Sequence, residues 1–262
     1  MPASTPPPIA LTIAGSDSGG GAGIQADLKT FHTHGVHGLS AVTAITSQNT
    51  HGVSAVHAVP LAHIRNQLAA LFDDFPIAAV KTGMLGSAAI TRLVAREMAA
   101  RKPAWLVVDP VMIATSGARL LDEAAVEVLT EELIPLADIL TPNLPEAEAL
   151  LGRRIRTAAQ CDAAGEALLA LGAGAVLLKG GHASGNEVVD RYYDARGVLE
   201  LRHPRLSLEG HGTGCTLASA IAAELACGRS PRSAVRRAIA YVHRSLQRGY
   251  RPGAGAAHVL RH

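Results

Sequence analysis

A glycine-rich segment late in the sequence has the composition of an anion-binding loop. It reads GHGTGC over residues 210–215 and directly precedes an apolar, alanine-rich helical pattern. The first backbone N–H groups of a helix have no intrahelical partner, and the helix dipole adds partial positive charge there, which suits a phosphoryl group. Cys215 falls in the first turn, where the same field stabilises a thiolate. A small buried thiol beneath a glycine turn is an equally good interpretation of this motif alone.

Oxygen-bearing side chains follow two predicted strands and form a second candidate site. Asp109 ends an apolar strand pattern, and Asn143 and Glu146 lie three residues apart where a helix pattern begins. That spacing places the last two on one helix face. Carboxylate and amide oxygens suit Mg²⁺ carried with phosphates, usually through water. The alternative for Asn143 and Glu146 is an ordinary helix N-cap, which is favoured when the pair is taken alone.

Two lysines, Lys81 and Lys179, each close an apolar strand pattern. A lysine in that position can pair with phosphate oxygens, or it can extend its ammonium group from the strand end into solvent. The histidines at 32, 34 and 37 have no recognised metal spacing, so we expect them on the surface. The sequence has no HExxH, GxSxG or HRD motif, which disfavours the reaction classes that depend on them.

An earlier glycine run, GGGAG at 19–23, follows a strand pattern and opens a helix pattern. It satisfies a loose dinucleotide-binding fingerprint, but that fingerprint needs an acidic residue about 20 positions further on. No acidic residue lies between Asp27 and Asp73, which argues against a dehydrogenase. A Walker loop requires glycine directly before the Lys-Thr pair, and Leu28 stands there instead. The run is therefore a tight turn at which backbone can approach a ligand closely.

The elements that must position these residues alternate along the chain. Apolar runs predict strands at 10–16, 39–47, 77–82, 105–111, 137–142 and 175–179, and amphipathic runs predict helices at 24–33, 61–75, 88–100, 123–133 and 158–171. Two further helices are predicted at 215–226 and 230–247, an extra strand at 53–59, and a hairpin of 187–194 with 198–205. Alternation predicts an α/β fold with a mostly parallel sheet and small β additions, in one domain over 1–262 with 1–8 flexible. Ligands of such sheets bind at the carboxyl ends of the strands, where the candidate residues lie.

Composition limits the classes of partner. The chain has 262 residues, 48% hydrophobic and 18% charged, which excludes intrinsic disorder. A net charge of +2 gives no electrostatic reason to expect nucleic acid or an anionic membrane. Three unpatterned cysteines fit a reducing compartment, and no apolar run reaches the ~18 residues of a membrane span. With an N-terminus unlike a signal peptide, we expect a cytoplasmic protein.

In this order, the motifs resemble those of the ribokinase-like small-molecule kinases, and most closely the hydroxymethylpyrimidine/phosphomethylpyrimidine kinases of thiamine biosynthesis. The N-terminal signature of that family is similar to AGSDSGGGAGIQADLKTF at 14–31. Further similar motifs are QNT at 48–50, KTGML at 81–85, DPVM at 109–112, TPNLPEA at 141–147, KGGH at 179–182 and HGTGCT at 211–216. The resemblance covers roughly residues 9–245. It implies a three-layer ribokinase-like fold.

The resemblance implies ATP-dependent phosphorylation of 4-amino-5-hydroxymethyl-2-methylpyrimidine and then of its monophosphate, with Mg²⁺; a monovalent-ion requirement is left open. It implies that Cys215 is the catalytic base, where most sugar kinases of the superfamily have aspartate. The other implied roles are an anion hole of Gly212, Thr213 and Gly214, phosphate contacts from Lys179, Asn143 and Thr213, substrate contacts from Gln48, Gly15, Asp27 and Met84, and Mg²⁺ held through water by Asn143, Glu146 and Asp109.

Several alternatives stay open at this point. A pyridoxal or pyridoxine kinase is the nearest, because both substrate rings carry a hydroxymethyl group and Gln48 does not separate them. A catalytically silent sensor of nucleotides or thiamine precursors is disfavoured by the intact GTGC and NxxE motifs. The C-terminal stretch GAGAAH at 253–258 departs from the GHGP-type ending common in the family. A homodimer is an expectation from the resemblance alone.

Overall fold

The central feature of the molecule is a nine-stranded sheet. The computed structural model describes residues 6–112, 121–182, 185–208 and 210–262. The strands are β1 Ile9–Asp17, β2 His37–Asn49, β3 Gly52–Ala58, β4 Ile77–Thr82, β5 Leu106–Val108, β6 Ile139–Leu140, β7 Val176–Leu178, β8 Glu187–Asp194, β9 Gly197–Pro204, β10 Gly210–His211 and β11 His258–Val259. The helices are α1 Gly23–Thr33, α2 Leu61–Asp74, α3 Ala88–Arg101, α4 Glu123–Val128, α5 Leu144–Leu151, α6 Ala158–Leu169, α7 Thr213–Ala226 and α8 Pro231–Gln247.

The strand order is β3-β2-β1-β4-β5-β6-β7-β8-β9. The six strands from β2 to β7 in that order pair in parallel, whereas β3 and the β8–β9 hairpin pair antiparallel at the two edges. This confirms the prediction of a mostly parallel sheet with an extra strand and a hairpin added. The short parallel pair β10–β11 forms a second sheet that the sequence did not predict.

Helices cover both faces of the sheet, so the fold has three layers. Strand side chains alternate between the faces: Leu11 and Ile13 of β1 join one apolar cluster, while Ala10 joins the other. The first cluster includes residues of α2, α3 and α6, and the second includes residues of α1, α7 and α8. Because helices cover both faces of the sheet, the strands appear in the sequence as continuous apolar runs.

The boundaries of several elements differ from the prediction, mainly where polar residues follow an apolar run. The strand predicted over 105–111 ends at Val108, because Asp109 and Pro110 leave the sheet. The helix predicted over 123–133 is α4 followed by a π-helical segment, Leu129–Leu133. α5 is absent from the predicted helices, although its N-terminal capping arrangement at Asn143 was predicted. No helix in the described ranges is long and apolar enough to span a membrane.

Candidate active site

The carboxyl ends of the parallel strands surround a cavity of about 460 Å³. β1, β5 and β7 end next to it, and the start of α7 closes it from the other side. Eleven of the twelve sequence-predicted site residues line this cavity: Gly15, Gln48, Met84, Asp109, Asn143, Glu146, Lys179, Gly212, Thr213, Gly214 and Cys215. The structure therefore brings together residues up to 200 positions apart in the chain, because parallel strands end at one edge of the sheet.

The glycine-rich loop of residues 210–215 packs closely against the first glycine loop, 19–23. Gly212 is the N-cap of α7 with φ of +80°, a left-handed conformation that L side chains rarely adopt. A Cβ at Gly212 would also overlap the carbonyl oxygen of Gly21 in the first glycine loop. The first backbone bond of α7 runs from Thr216 N–H to the Gly212 carbonyl. The N–H groups of 213–215 thus belong to the unpaired first turn of a fourteen-residue helix.

Cys215 is partly exposed to the cavity and its thiol differs from the sequence expectation. Burial, with the carboxylates of Asp27 and Asp109, raises the pKa of Cys215 to about 11, against the opposing effects of the Lys81 ammonium and the Gly23 N–H. These surroundings act against the lowering that is expected from the helix field. Burial and two carboxylates outweigh one ammonium group, so the thiol is protonated at neutral pH.

Lys179 lies between two carboxylates at the centre of the site. Its Nζ is 3.0 Å from Asp109 Oδ1 and 3.8 Å from Glu146 Oε2. Burial alone would lower the pKa of Lys179, but Asp109 and Glu146 raise it well above its ordinary value. Lys179 is therefore a fixed positive charge beside the start of α7. A Cβ added at Gly214 would lie only 3.4 Å from its Nζ.

Asn143 and Glu146 form the helix cap that was the alternative to a metal site. Asn143 Oδ1 accepts from Glu146 N–H at 2.9 Å, and Glu146 Oε2 accepts from Asn143 N–H at 2.8 Å. Burial, with the nearby Asp109 carboxylate, raises the pKa of Glu146 to about 7, although Lys179 opposes the rise. Both residues nevertheless face the cavity, so the cap orients a carboxylate towards it.

The donor chemistry fits a hydrated Mg²⁺ that arrives with phosphates. Asp109 and Glu146 place carboxylate oxygens on the cavity wall, as such an ion requires. Within the described ranges, no group of three or more His, Cys, Asp or Glu side chains could hold a metal by itself. The protein therefore offers part of a coordination shell, and phosphate oxygens and water must complete it.

Asp27 is the predicted substrate contact that does not line the cavity. Its carboxylate is fully buried and forms an ion pair with Lys81 at 2.8 Å. Thr12 Oγ1 and Ser219 Oγ each donate to it at 2.6 Å. Lys81 is fully buried as well. It neither extends into solvent nor lines the cavity, which differs from both positions considered from the sequence. Ser219 lies one turn after Cys215 on α7, which places this buried pair beneath the thiol.

Asp17 organises the first glycine loop, and sequence reasoning missed it. Its carboxylate accepts from the backbone N–H groups of Gly19, Gly21 and Ala22 at 2.8 to 3.0 Å. His211 Nε2 lies 3.1 Å from Asp17 Oδ2. Burial raises the pKa of Asp17, but the hydrogen bonds from His211, Ala22 and Gly19 outweigh it and lower this pKa overall. An aspartate two residues before a glycine run is a turn signal that could have identified this role.

Gln48 and Met84 line the same cavity as the start of α7. The Gln48 side-chain amide lies between Thr46 Oγ1, 3.2 Å from its Oε1, and His211 Nε2, 3.0 Å from its Nε2. The Met84 backbone carbonyl accepts from Gly15 N–H at 3.1 Å, which joins this part of the cavity lining to β1. A Cβ at Gly15 would lie 3.3 Å from Met84 Sδ, so glycine allows this close approach.

A second cavity of about 500 Å³ adjoins the first, and the sequence did not predict it. The two cavities share Asn143, Lys179, His182, Gly210, Thr213 and Gly214. Strand β8, the segment after β9, and helices α7 and α8 supply an apolar lining of Val188, Leu206, Leu208, Leu217, Ile239, Val242 and Leu246. The start of α7 is therefore the junction between the two cavities.

A three-layer α/β fold with two adjoining cavities that meet at a glycine-capped helix start defines a ribokinase-like small-molecule kinase. The family model described as phosphomethylpyrimidine kinase matches residues 17–260, and the chain belongs to that family. The hydroxymethylpyrimidine/phosphomethylpyrimidine kinase of Haemophilus influenzae is 48% identical over 251 residues, covering 94% of this chain and 93% of the relative.

Two further comparisons extend this result. The thiamine biosynthesis bifunctional protein ThiED of Geobacter sulfurreducens is 49% identical over 90% of this chain, which spans only about half (49%) of that longer relative. The crystal structure of the ADP complex of Bacillus subtilis pyridoxal kinase superposes with a TM-score of 0.90 at 35% identity, covering 97% of each chain. The same fold thus occurs in kinases of two related vitamin rings.

Proposed function

We propose that this protein transfers the γ-phosphoryl group of ATP to the 5-hydroxymethyl group of 4-amino-5-hydroxymethyl-2-methylpyrimidine, and then a second phosphoryl group to the monophosphate. The observation that carries the proposal is the position of the start of α7, at the junction of two cavities of about 460 and 500 Å³. A kinase needs two bound reactants whose reacting atoms meet at one anion-stabilising point. Family membership supports this pair of substrates and a place in thiamine diphosphate synthesis.

The pyrimidine is proposed to bind in the first cavity, against Gln48 and Met84. An aminopyrimidine edge presents an N–H donor beside a ring-nitrogen acceptor, and a glutamine amide offers the complementary acceptor and donor. In this position, the hydroxymethyl group would lie in the same cavity as Cys215 and the start of α7. Asp27 is removed from the proposed substrate contacts, since it is fully buried in its pair with Lys81.

The nucleotide is proposed to bind in the second cavity, with its phosphates at the junction. The apolar lining from β8, α7 and α8 suits a flat base, while Lys179 and Thr213 face the shared region. Lys179 would neutralise phosphate charge, and the N–H groups of 212–214 would stabilise the oxygens of the transferring group. The relative of known structure binds ADP, which supports a nucleotide in this fold.

Asp109, Asn143 and Glu146 are proposed to hold a magnesium ion through water. When bound, Mg²⁺ would neutralise phosphate oxygens during transfer. Lys179 already contacts both carboxylates, so it fixes their orientation towards the junction. Phosphoryl transfer depends mainly on positioning and electrostatics. Cys215 is then proposed to orient the acceptor hydroxyl and to take its proton.

Pyridoxal phosphorylation is the second candidate. The observation that favours it is the close superposition with a pyridoxal kinase, at a TM-score of 0.90. The sequence relatives favour the pyrimidine, at 48% identity over nearly the full length of both chains.

The experiment that tests the proposal is Mg²⁺-dependent ADP release with a panel of acceptors. Hydroxymethylpyrimidine, its monophosphate, pyridoxal and ribose are compared at equal concentrations, and products are identified by mass. Turnover of both pyrimidines with a diphosphate product supports the proposal. Turnover of pyridoxal alone supports the second candidate, and no turnover with any acceptor refutes both.

A further inference from the structure

His211 connects three parts of the site that are far apart in the sequence. Its Nε2 lies 3.1 Å from Asp17 Oδ2 in the first glycine loop and 3.0 Å from the Gln48 amide. The same ring packs on Gly21, where a Cβ would lie 2.6 Å from His211 Cδ2. The site residue Gln48 is thus in contact with a histidine that directly precedes the N-cap of α7.

The hydrogen on His211 Nε2 determines which end of the Gln48 amide faces it. Asp17 has a lowered pKa, so it is ionised and can only accept. The His211 Nε2 atom must therefore carry a hydrogen and donate it to Asp17. A nitrogen that carries a hydrogen offers no lone pair to a donor. The amide group of Gln48 that faces His211 must then be its oxygen, since an NH₂ group there would oppose another N–H.

Thr46 gives the same orientation independently. Its hydroxyl has one hydrogen, and the Ser16 carbonyl lies at 2.9 Å to accept it. A lone pair of Thr46 Oγ1 remains to accept from the other end of the Gln48 amide, 3.2 Å away. The two ends of an amide have nearly the same shape, so hydrogen-bond partners decide which end is oxygen. Both partners therefore require the amide to be turned by 180° from the atom placement that puts Oε1 3.2 Å from Thr46 and Nε2 3.0 Å from His211. The Gln48 oxygen then lies at His211 and its NH₂ at Thr46.

We propose that His211 is a specificity-determining positioning residue, which locks the Gln48 amide in one orientation so that the site accepts an aminopyrimidine edge and rejects the 4-oxo edge. The inference rests on the proposed function and adds the reason for selectivity. A 4-amino ring presents an N–H donor at position 4 and an acceptor at the adjacent ring nitrogen. A 4-oxo ring presents the reverse, an acceptor oxygen at position 4 and an N–H donor at the adjacent ring nitrogen. An amide that can rotate would serve either ring, and a locked amide serves one.

The test compares the 4-amino substrate with its 4-oxo analogue. In wild type, kcat/KM should favour the amino compound, and His211→Leu should reduce that preference about 10- to 100-fold, as expected for one mismatched buried hydrogen bond. His211→Gln keeps an N–H donor near the Nε2 position and should restore most of the preference. His32→Leu, on the exposed face of α1, is the matched control and should leave the preference unchanged. Thermal unfolding checks that each variant is folded.

Two further readouts separate positioning from a general structural role. In a Gln48→Ala background, His211→Leu should no longer change the amino-to-oxo ratio, because His211 acts through the amide. In the free wild-type protein, ¹⁵N NMR of the His211 ring should show a protonated Nε2, with the signal assigned by its loss in His211→Gln.

The inference would be overturned by an unchanged amino-to-oxo ratio in His211→Leu, by additive effects of His211→Leu and Gln48→Ala, or by an unprotonated His211 Nε2. Each of these outcomes would leave the proposed function intact. Absence of wild-type turnover with the amino compound would instead refute the proposed function, and the inferred preference with it.

Discussion

The buried ion pair of Lys81 and Asp27 should be a major source of both stability and site geometry. The two side chains are fully buried, with Nζ and Oδ2 2.8 Å apart. Replacing Lys81 with Met leaves a buried carboxylate with two hydroxyl donors, and replacing Asp27 with Asn leaves a buried ammonium group without its counter-ion. Loss of one member of such a pair costs about 3–5 kcal/mol of unfolding free energy.

That cost is large compared with the total stability of a folded protein, about 5–15 kcal/mol. Each single variant should unfold at clearly lower urea concentration, and its thermal midpoint should fall by roughly 6–20 °C. The double variant Lys81→Met with Asp27→Asn removes both charges and should be more stable than the sum of the single effects implies. Thr12→Val, which removes one donor to Asp27, is a milder control expected to cost about 1–3 kcal/mol.

The assay is urea unfolding followed by circular dichroism, with the slope of the transition compared among variants to confirm that the same surface becomes exposed. Alkylation of Cys215 gives a second readout. The Lys81 ammonium lowers the pKa of this thiol, so Lys81→Met should slow its alkylation at pH 8. Single variants as stable as wild type, or a double variant equal to the sum of the singles, would refute the reasoning.

Three further outcomes follow from the site. Cys215→Ala should lower kcat with little change in KM; because the pKa of Cys215 is about 11, wild-type kcat should rise with pH above neutrality, and a flat pH profile that matches the variant's would exclude a thiolate. The Glu146 pKa is raised from 4.5 to about 7 in the folded protein. At Glu146 the native state therefore binds more protons than the unfolded chain between these values, so the stability that this carboxyl contributes is lost as pH rises from about 4.5 to 7. In urea titrations at several pH values in Mg²⁺-free buffer, the stability of wild type relative to Glu146→Gln, which keeps an acceptor for the helix cap, should therefore fall over this range. Gly212→Ala should lower kcat about 100-fold or more, because both its φ and the Gly21 carbonyl exclude a Cβ; activity near wild type would show that the loop tolerates displacement.

Much of the architecture could be predicted from the sequence because the period of apolar residues reports burial directly. Strands such as β4, buried on both faces, have no polar side of their own, and their boundaries were predicted most accurately. The residues at strand ends were also predicted to lie together, since parallel strands fix where their carboxyl ends meet. β6 is shorter than the strand predicted over 137–142: its regular ladder covers Ile139–Leu140, and beyond it Thr141 and Pro142 keep single backbone hydrogen bonds to Val108 and Lys179.

The remaining features depend on contacts between distant segments. Asp27 and Lys81 are 54 positions apart, and no local pattern distinguishes a charge buried with a partner from a charge in solvent. The contact of Gln48 with His211 spans 163 positions. The second cavity needs the β8–β9 hairpin and α8 to pack side by side, which follows from tertiary packing and not from the period of either element.

Helix α7 joins the reacting end of the site to the deepest part of the core. Ten consecutive residues, Thr216 to Leu225, are buried, whereas the three before them carry N–H groups without an intrahelical acceptor. Amide hydrogens along one helix should therefore exchange with deuterium on two very different timescales. The buried turns should exchange only when the whole protein unfolds, and the first turn should exchange at once until a phosphate occupies it. Occupancy of the site is then visible at single-residue resolution, with the rest of the same helix as its internal standard.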